Sequence, residues 1–461
     1  MKRPTADHEA ELKADLTADL KAGVRSDVSS ELRSDVGSDV RSAVLGYRWR
    51  IVALLFFATT INYVDRQVLG ILAPTLQREL SWSETDYGAI VSWFSFAYGI
   101  GLLLTGRILD AVGTRIGFSV AIVTWSFAAM AHAIARSVTG FGLVRGLLGL
   151  GESANFPAAI KTVAQWFPQK ERALAVGIFN AGSNVGAIVA PLVVPWIALT
   201  LGWRWAFIIT GAIGFVWLVF WLATYREPEH HARVSREELQ HIRRDETREV
   251  TSTSNDVSWL QVLRQRQTWA FVVGKTMTDP VWYFYLFWLP KFLDTSFGVQ
   301  LKGLAAPLIA IYLVADVGSV GGGWISSWFL TRGWSVNRSR KTAMLIAALL
   351  IAPTMFAPRA QSLWIAVALV SVAAAAHQWW SANLFTTVSD LFPRRAVATV
   401  VGIGGFGGAM AGMAFQRGTG RLLDATHGNY APIFVVCGLT YLVALAIVHL
   451  LVPRMRPARL E

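Results

Sequence analysis

The chain has 461 residues, of which 54% are hydrophobic and 16% are charged, and its formal net charge is +12. A soluble protein of this length could not bury so large an apolar share, so the composition excludes an ordinary soluble protein and indicates a multi-span membrane protein. Arginine and lysine gather between the apolar segments, which favours membrane topology over nucleic-acid binding as the cause of the positive charge. The single cysteine, Cys437, excludes an internal disulfide and argues against a cysteine-built metal site.

Residues 1–46 form a low-complexity arm in which an aliphatic residue recurs at every fourth position. Since a helix has about 3.6 residues per turn, this repeat drifts around a helix and cannot stay on one face. The arm also lacks the uninterrupted apolar region of a signal peptide. We therefore expect short helical pieces or disorder there, without a role in the central function.

From Tyr47 onwards, segments of about 20 apolar residues are long enough to cross the hydrocarbon core of a bilayer. They predict an all-α integral membrane protein with twelve transmembrane helices in two six-helix halves. Basic residues gather in alternate connectors, and the positive-inside rule then places both termini in the cytoplasm. The expected spans are 49–73, 86–109, 116–136, 139–162, 173–199, 204–225, 268–293, 303–331, 341–358, 362–391, 396–421 and 430–452.

A polar, basic stretch between the sixth and seventh spans predicts a cytoplasmic linker. Ser235 and Glu238 have the spacing of a capping box, which predicts a surface helix from there to about Arg248. No Gly-rich phosphate loop adjoins the linker, so we expect no nucleic-acid partner. The predicted organisation is an arm at 1–46, a helix bundle at 47–225, the linker at 226–267, a second bundle at 268–453 and a cytoplasmic tail at 454–461.

The two halves share a short repeat. Phe167-Pro168 precedes the fifth span and Phe392-Pro393 precedes the eleventh, an offset that places His377 at the position equivalent to Glu152. Parallel repeats of this kind are typical of transporters whose binding site lies between two six-helix halves.

Charged residues inside two of the apolar spans are the main candidates for function. Arg145 and Glu152 are seven residues apart, about two helical turns, so they share a helix face. Each charge at a helix centre costs about 2.5–3.5 kcal/mol on insertion scales. A structural ion pair that locks neighbouring helices is one explanation for Arg145 and Glu152. For Asp65 and Arg66 in the first span, an interfacial pair near the helix end is the corresponding alternative.

The combination of two arginines and two carboxylates on separate helices favours a functional explanation. The planar fork of arginine suits a carboxylate and keeps its charge. The protonation of a buried carboxylate can depend on what a neighbouring arginine contacts. Such a set can bind an anion and hold a proton.

The connector between the second and third spans, residues 106–115, resembles a loop signature of the major facilitator superfamily. The signature has Gly, Asp and basic residues at fixed spacing, and this chain departs from it with Ala111 where a basic residue is usual. The resemblance implies a gate latch on the cytoplasmic side that involves Asp110 and Arg115.

Further motifs are similar to the anion:cation symporter family within that superfamily. They are the Asn-Tyr-x-Asp-Arg run at 62–66 and the pair Arg145 and Glu152, while residues 151–187 and 274–290 resemble bacterial hexuronate transporters. The resemblance covers 47–453 and implies proton-coupled uptake of galacturonate or glucuronate by alternating access. It implies proton coupling by Asp65 and Glu152, anion binding by Arg66 and Arg145, and substrate hydrogen bonds from Tyr63 and Tyr98.

Polar residues elsewhere in the spans extend the predicted substrate site. Asn180 and Asn184 are four apart on one helix face, which fits contact with a polyol. Ser183 stands where a galactonate-type carrier has glutamine, which argues against simple transfer of that specificity. For Tyr98, packing against lipid or core is the alternative explanation.

In the second half, Lys275 and Asp279 are four apart, so Lys275 can contact substrate or form a bridge with Asp279 within the seventh span. His377 is a candidate substrate or proton contact, with a packing role as the alternative, and Asp316 can bridge helices. The tenth span adds further hydrogen-bonding and aromatic candidates for a sugar acid: Gln378, Trp379 and Asn383.

We therefore expect a bacterial inner-membrane proton symporter for a sugar acid, with a hexuronate as the best candidate. Another organic anion (galactonate, glucarate or an aromatic acid) and a non-transporting sensor of the same fold are the alternatives. The chain shows no nucleophile–base or metal-ligand spacing, so we expect no enzyme activity, no metal and no cofactor besides the coupling proton. The expected partners are a small organic anion and the lipid bilayer, and the expected functional unit is a monomer.

Overall fold

The computed structural model describes residues 46–244 and 259–458. The predictions for the N-terminal arm, and for the linker helix beyond Arg244, therefore fall outside the described residues. The α-helices are α1 (Arg48–Leu80), α2 (Glu84–Val112), α3 (Thr114–Ala131), α4 (Val138–Glu152), α5 (Asn155–Trp166), α6 (Gln169–Leu201), α7 (Trp203–Thr224), α8 (Arg236–Arg243), α9 (Trp259–Leu263), α10 (Arg266–Phe297), α11 (Ala305–Thr331), α12 (Val336–Ile351), α13 (Leu363–Leu391), α14 (Arg394–Ala425) and α15 (Ala431–Leu451).

Among the described residues, eight helices are long and apolar enough to cross a membrane: α2, α3, α6, α7, α11, α12 with the 3-10 turn that follows it, α13 and α15. The other four predicted spans coincide with α1, α4 together with α5, α10 and α14, which carry charged residues along their length. The protein is therefore an all-helical, multi-pass membrane protein. The count of twelve spans and the cytoplasmic position of the termini stay predictions.

The fourth predicted span, 139–162, is not one continuous helix. It consists of α4 and α5, separated at Ser153 and Ala154. Pro157 has no N–H to donate to the carbonyl of Ser153, so one helical hydrogen bond is missing at this point. The amide of Ala154 instead donates to the carbonyl of Gly151 at 3.4 Å, in a tighter turn. The break leaves Glu152 as the last residue of α4.

The linker helix begins where the capping box predicts. Ser235 is the N-cap of α8 and its hydroxyl accepts a hydrogen bond from the amide of Glu238 at 3.1 Å. Arg48, at the start of α1, donates from Nε to Glu171 at 3.0 Å and lies 3.4 Å from Glu238. The linker helix α8 is thereby fixed to the starts of α1 and α6.

The sequence repeat corresponds to a repeat in the backbone. Pro168, the N-cap of α6, has φ −62° and ψ 153°, and Pro393, the N-cap of α14, has φ −62° and ψ 149°. The preceding residues, Phe167 and Phe392, are both extended. The two helices therefore begin with the same turn, which matches the predicted half-repeat at this point.

Glycines let α4 pack with its backbone directly against α2 and α3. A Cβ atom on Gly149 would lie 2.5 Å from the backbone oxygen of Phe94, and one on Gly151 would lie 2.8 Å from the backbone nitrogen of Trp125. Helices approach this closely only where side chains are absent. This close contact holds Arg145 and Glu152 in the interior, where both are fully buried.

We call α1–α7 the first group of helices and α10–α15 the second group. Hydrogen bonds between the two groups gather at one end of the bundle, which we call the sealed end. The amides of Glu84 and Thr85 in α2 donate to the carboxylate of Asp424 in α14, at 3.0 and 2.8 Å. Lys291 of α10 forms an ion pair with Glu84. Tyr87 donates from its hydroxyl to the carbonyl of Phe287 at 2.5 Å. These contacts hold α2 against α10 and α14 at this end.

Candidate functional site

A buried ion pair joins α1 to α4. Arg66 donates from Nε to Oε2 of Glu152 at 2.8 Å and from Nη2 to Oδ1 of Asn62 at 3.3 Å. Arg66 is 3% exposed and Glu152 is 0% exposed. The helical spacing of the sequence places Arg145 and Glu152 on one face of α4. The ion-pair partner of Glu152, however, is Arg66 of α1.

Arg145 lies beside this pair and is fully buried. Its Nη2 donates to the backbone carbonyl of Arg66 at 2.6 Å. Its Nε and Nη1 have no hydrogen-bond partner within residues 46–244 and 259–458. Arg145 is therefore a buried cation that contacts a carbonyl and is not hydrogen-bonded to a carboxylate in the described part of the chain.

Asp65 is the fourth charged residue of the group and is 2% exposed. Neither of its carboxylate oxygens has a hydrogen-bond partner in the described ranges, and the hydroxyl of Thr210 lies near it without meeting hydrogen-bond geometry. We call Asp65, Arg66, Arg145 and Glu152 the first-half charge cluster. It contains one ion pair, one cation and one carboxyl group.

Aromatic rings surround both arginines. The guanidinium of Arg66 lies 4.8 Å from the ring centroid of Tyr63, 4.9 Å from that of Tyr98 and 5.1 Å from that of Phe94. Contacts of this kind stabilise a cation most where water is excluded. Tyr63 and Tyr98 thus lie against Arg66, where the sequence predicts substrate contacts, and Tyr98 also stacks on Phe94.

The ring of Phe287 in α10 brings the second group of helices into the first-half charge cluster. The guanidinium of Arg145 lies 5.3 Å from its centroid and 4.9 Å from that of Phe94. Sequence reasoning missed Phe94 and Phe287 because a phenylalanine within an apolar span carries no signal that separates a cation contact from packing. Asn62 was noted only as part of the motif at 62–66, although its position four residues before Arg66 could have indicated the hydrogen bond.

The polar residues of α6 differ in exposure. Asn180 is exposed, Asn184 is half-buried and Ser183 is buried. The hydroxyl of Ser183 donates to the carbonyl of Asn180 at 2.6 Å and lies 3.3 Å from Oδ1 of Asn184. The hydroxyl of Ser183 is thus bound locally, and the two asparagines keep the exposure that their predicted role requires.

In α10, Lys275 and Asp279 form the ion pair that their spacing allows, with Nζ and Oδ2 2.8 Å apart. Their side chains are 12% and 15% exposed, more than any member of the first-half charge cluster. The ammonium of Lys275 also lies 4.6 Å from the ring centroid of Phe385. The bridge within the seventh span is therefore formed, and substrate contact by Lys275 stays a prediction.

His377 lies in a polar cluster of the second half and not beside Glu152. Its Nδ1 is 2.5 Å from the hydroxyl of Tyr441, and its ring stacks on Trp282 with centroids 5.0 Å apart. The hydroxyl of Tyr441 is also 3.3 Å from the carbonyl of Thr278. The offset between the two Phe-Pro pairs therefore relates the positions of Glu152 and His377 in the chain, but the two side chains lie in different clusters.

Of the other predicted residues of α13, Asn383 and Trp379 contact α11. Asn383 donates from Nδ2 to the carbonyl of Gly322 at 3.1 Å and to that of Trp379 at 3.0 Å. A Cβ on Gly322 would lie 2.6 Å from the Cα of Trp379, so the helices touch there. Gln378 is half-buried. Asp316 of α11 is also half-buried, and no bridge from it to another helix is seen in the described ranges.

The predicted gate residues lie at the end opposite the sealed end. Asp110 belongs to the last turn of α2, and its side chain lies outside the described part of the structure. Gly113 has φ +79°, a conformation that glycine adopts without strain. Arg115 donates from Nη2 to the carbonyl of Leu222 in α7 at 2.7 Å. This contact lies within the first group of helices, and a gating role for Arg115 stays a prediction.

Comparison with known proteins decides the family. The model of the Major Facilitator Superfamily matches residues 55–416. The chain belongs to the Major Facilitator Superfamily. The hexuronate transporter of Escherichia coli strain K12 is 35% identical over 397 residues, which are 85% of this chain and 91% of that protein. The galacturonate transporter of Dickeya chrysanthemi is 34% identical over 311 residues, 67% of this chain and 90% of that protein. The resemblance to hexuronate transporters predicted from the motifs is thereby confirmed.

Solved structures of other major facilitators share the fold. The xylose transporter XylE from E. coli, in an inward open conformation, has a TM-score of 0.68 at 15% identity and covers 88% of this chain and 96% of that one. An inward-facing, occupied bacterial homologue of the human lysosomal transporter Spinster has a TM-score of 0.66 at 20% identity, with the same coverage. This major facilitator is thus a multi-pass transporter of the superfamily and not an enzyme.

Proposed function

We propose that this major facilitator carries a sugar acid, with a hexuronate as the best candidate, into the cell by proton symport across the bacterial inner membrane. The observation that carries the proposal is the buried pair of Arg66 with Glu152, flanked by Asp65 and Arg145. Relatives that are 34–35% identical are hexuronate and galacturonate transporters, which supports this class of substrate.

The proposed coupling follows from the partner of Arg66. While Glu152 is ionised, its carboxylate occupies the guanidinium that a substrate carboxylate would need. A proton on Glu152 removes that competing charge and releases Arg66, which stays charged, to bind the substrate carboxylate. Substrate and proton are then taken up together because each favours the binding of the other. In the proposed complex, Tyr63 and Tyr98, whose rings lie against Arg66, would donate hydrogen bonds to the sugar hydroxyls.

The proposed cycle is alternating access between two six-helix halves. With both termini in the cytoplasm, as the positive-inside rule predicts, the sealed end faces the periplasm. The described conformation then corresponds to an inward-facing state in which the periplasmic gate is closed by the contacts of α2 with α10 and α14. The cycle needs no cofactor besides the proton.

The variant Glu152→Gln tests the coupling step. The purified protein is reconstituted into proteoliposomes and assayed with labelled galacturonate. We expect the variant to retain counterflow, which needs binding and exchange without net proton movement, and to lose accumulation driven by a pH gradient. Accumulation at the wild-type level in the variant would contradict the assignment of Glu152.

A panel of unlabelled acids in the same counterflow assay tests the substrate. Galacturonate and glucuronate should compete best, ahead of galactonate and of an aromatic acid such as benzoate. A protein that binds galacturonate in a thermal-shift assay but shows no counterflow would support a non-transporting sensor. Absence of both binding and counterflow for every sugar acid would contradict the proposal.

A further inference from the structure

The ion pair of Lys275 and Asp279 lies in α10, outside the first-half charge cluster that the proposed coupling uses. Both of its members are on one helix, so the pair does not join two helices. Lysine precedes aspartate, which is the order that stabilises a helix less, because it opposes the helix dipole. Two charges inside a membrane helix are costly, and helix stability does not explain their presence.

Two glycines of α14 allow this helix to pack closely against the pair. A Cβ on Gly408 of α14 would lie 2.3 Å from Oδ2 of Asp279, and one on Gly404 would lie 3.4 Å from Cγ of Lys275. Pro280 follows Asp279 and has no N–H, so it removes one helical hydrogen bond from α10 at this point. A break of this kind in a membrane helix is tolerated where it adjoins a cavity or other protein groups.

The pair also adjoins the polar groups of the second half. The hydroxyl of Tyr441 in α15 lies 2.5 Å from Nδ1 of His377 and 3.3 Å from the carbonyl of Thr278, the residue before Asp279. Tyr283, one helical turn beyond Asp279, stacks on Phe287 with ring centroids 6.1 Å apart, and the centroid of Phe287 lies 5.3 Å from the guanidinium of Arg145. From α14, Gly404 and Gly408 face the pair and carry no charge. The face of α10 that carries Asp279 thus continues through Tyr283 to Phe287, whose ring contacts Arg145 of the first-half charge cluster.

The charges of the two groups balance. The cations Arg66, Arg145 and Lys275 are matched by the carboxylates of Asp65, Glu152 and Asp279, one for one. A ligand with a second carboxylate brings one more negative charge, so one further proton is needed to leave the net charge of the site unchanged. Neutrality matters because an unbalanced charge is strongly disfavoured in the low-dielectric interior of a membrane protein.

We propose that Lys275 is a second anion-binding cation of the transport site, with Asp279 as its proton-controlled counter-ion. A second carboxylate, at the far end of a six-carbon diacid, would bind Lys275 once a proton neutralises Asp279. This inference rests on the proposed function, in which Arg66 takes the first carboxylate. The partial exposure of the pair, 12% and 15%, makes it reachable in the described conformation.

The test compares a sugar monoacid with its diacid in counterflow. Unlabelled galacturonate and unlabelled galactarate compete with labelled galacturonate in proteoliposomes, for the wild type and for the double variant Lys275→Gln/Asp279→Asn. The double variant keeps the site neutral, so neither charge is left without its partner. We expect the inhibition constant for galactarate to rise about tenfold more than that for galacturonate, since one charge-assisted contact is lost.

The matched control is Arg340→Gln/Asp390→Asn, which removes another ion pair of the second half, 2.9 Å between Nε and Oδ2. Its ratio of the two inhibition constants should equal that of the wild type. Proton uptake per substrate in the wild type, followed with a pH dye, should be larger by one proton for galactarate than for galacturonate. An equal rise of both constants in the Lys275/Asp279 variant, or no inhibition of the wild type by galactarate, would overturn the inference. Absence of galacturonate counterflow in the wild type would instead contradict the proposed function.

Discussion

Arg66 and Glu152 occupy positions where neither charge would be stable alone. Both are buried, and each provides the other's charge partner at 2.8 Å. Breaking a buried pair by removing one member costs about 3–5 kcal/mol, because the remaining charge stays in a medium of low dielectric constant. Replacing both members by neutral residues of similar size is far less costly. Stability and transport can therefore be separated at this pair.

The variant Arg66→Met should unfold at a clearly lower temperature than the wild type, because it leaves Glu152 without its partner. The double variant Arg66→Met/Glu152→Gln should recover most of that loss and still show no saturable uptake of galacturonate. Thermal unfolding of the detergent-purified protein, followed by size-exclusion chromatography, measures the first effect, and proteoliposome uptake measures the second. A single variant as stable as the wild type would show that the pair does not stabilise the fold.

At the scale of the helix, α4 depends on glycines that allow backbone contact. The Cβ of an alanine at position 149 would meet the backbone oxygen of Phe94 at 2.5 Å, and backbone cannot rotate away as a side chain can. Gly177 in α6 has no heavy atom within 4 Å of a built Cβ in the described structure. The two positions differ in packing while the substitution is the same.

We therefore expect Gly149→Ala to destabilise the protein and to reduce uptake, since α4 must shift and carries Arg145 and Glu152 with it. Gly177→Ala should be neutral or stabilising by about 0.5–1 kcal/mol, because alanine is the better helix former. The same thermal assay and the initial rate of galacturonate uptake measure both variants. Equal effects of the two substitutions would show that backbone contact at Gly149 is not what holds α4 in place.

The helices themselves could be predicted from the sequence to a large extent, because apolar length and the position of prolines are local properties. The N-cap of α8 at Ser235 was predicted in this way, and α6 and α14 both begin directly after the Phe-Pro pair that the sequence repeat identified, a few residues before the predicted spans. The division of the fourth span was missed, since the pattern of apolar residues continues through Ser153 and only Pro157 indicated a break. Helical spacing also identified the face shared by Arg145 and Glu152. The charges of α1 and α4 were also predicted to act as one set, and the pair of Arg66 with Glu152 confirms that they meet. Which arginine pairs with Glu152 depends on how α1 packs on α4, and helical spacing alone does not give it.

At the scale of the whole molecule, the contacts between the two groups of helices at the sealed end stabilise the described conformation. The amides in the first turn of α2 have no acceptor within the helix. The hydroxyl of Ser83 accepts a hydrogen bond from the amide of Asp86, and the carboxylate of Asp424 accepts hydrogen bonds from the amides of Glu84 and Thr85. A carboxylate at a helix N-terminus is favoured by charge as well as by hydrogen bonding. Asp424 belongs to the other group of helices, so this cap has to break when the sealed end opens.

The variant Asp424→Asn should therefore shift the protein towards a state that is open at the sealed end. Spin labels at Arg136 and Gln361, which are exposed in the α3–α4 and α12–α13 connections, report the separation of the two groups of helices at that end. With Cys437→Ala as background, pulsed EPR of the variant should show a second, longer distance population that is smaller in the same background with Asp424 intact. The control is Glu79→Gln at the same end, because Glu79 contacts Trp203 and Arg204 within its own group of helices. An equal change in both variants would mean that loss of any carboxylate loosens this end; a change confined to Asp424→Asn identifies the cap across the two groups as the contact that keeps it closed.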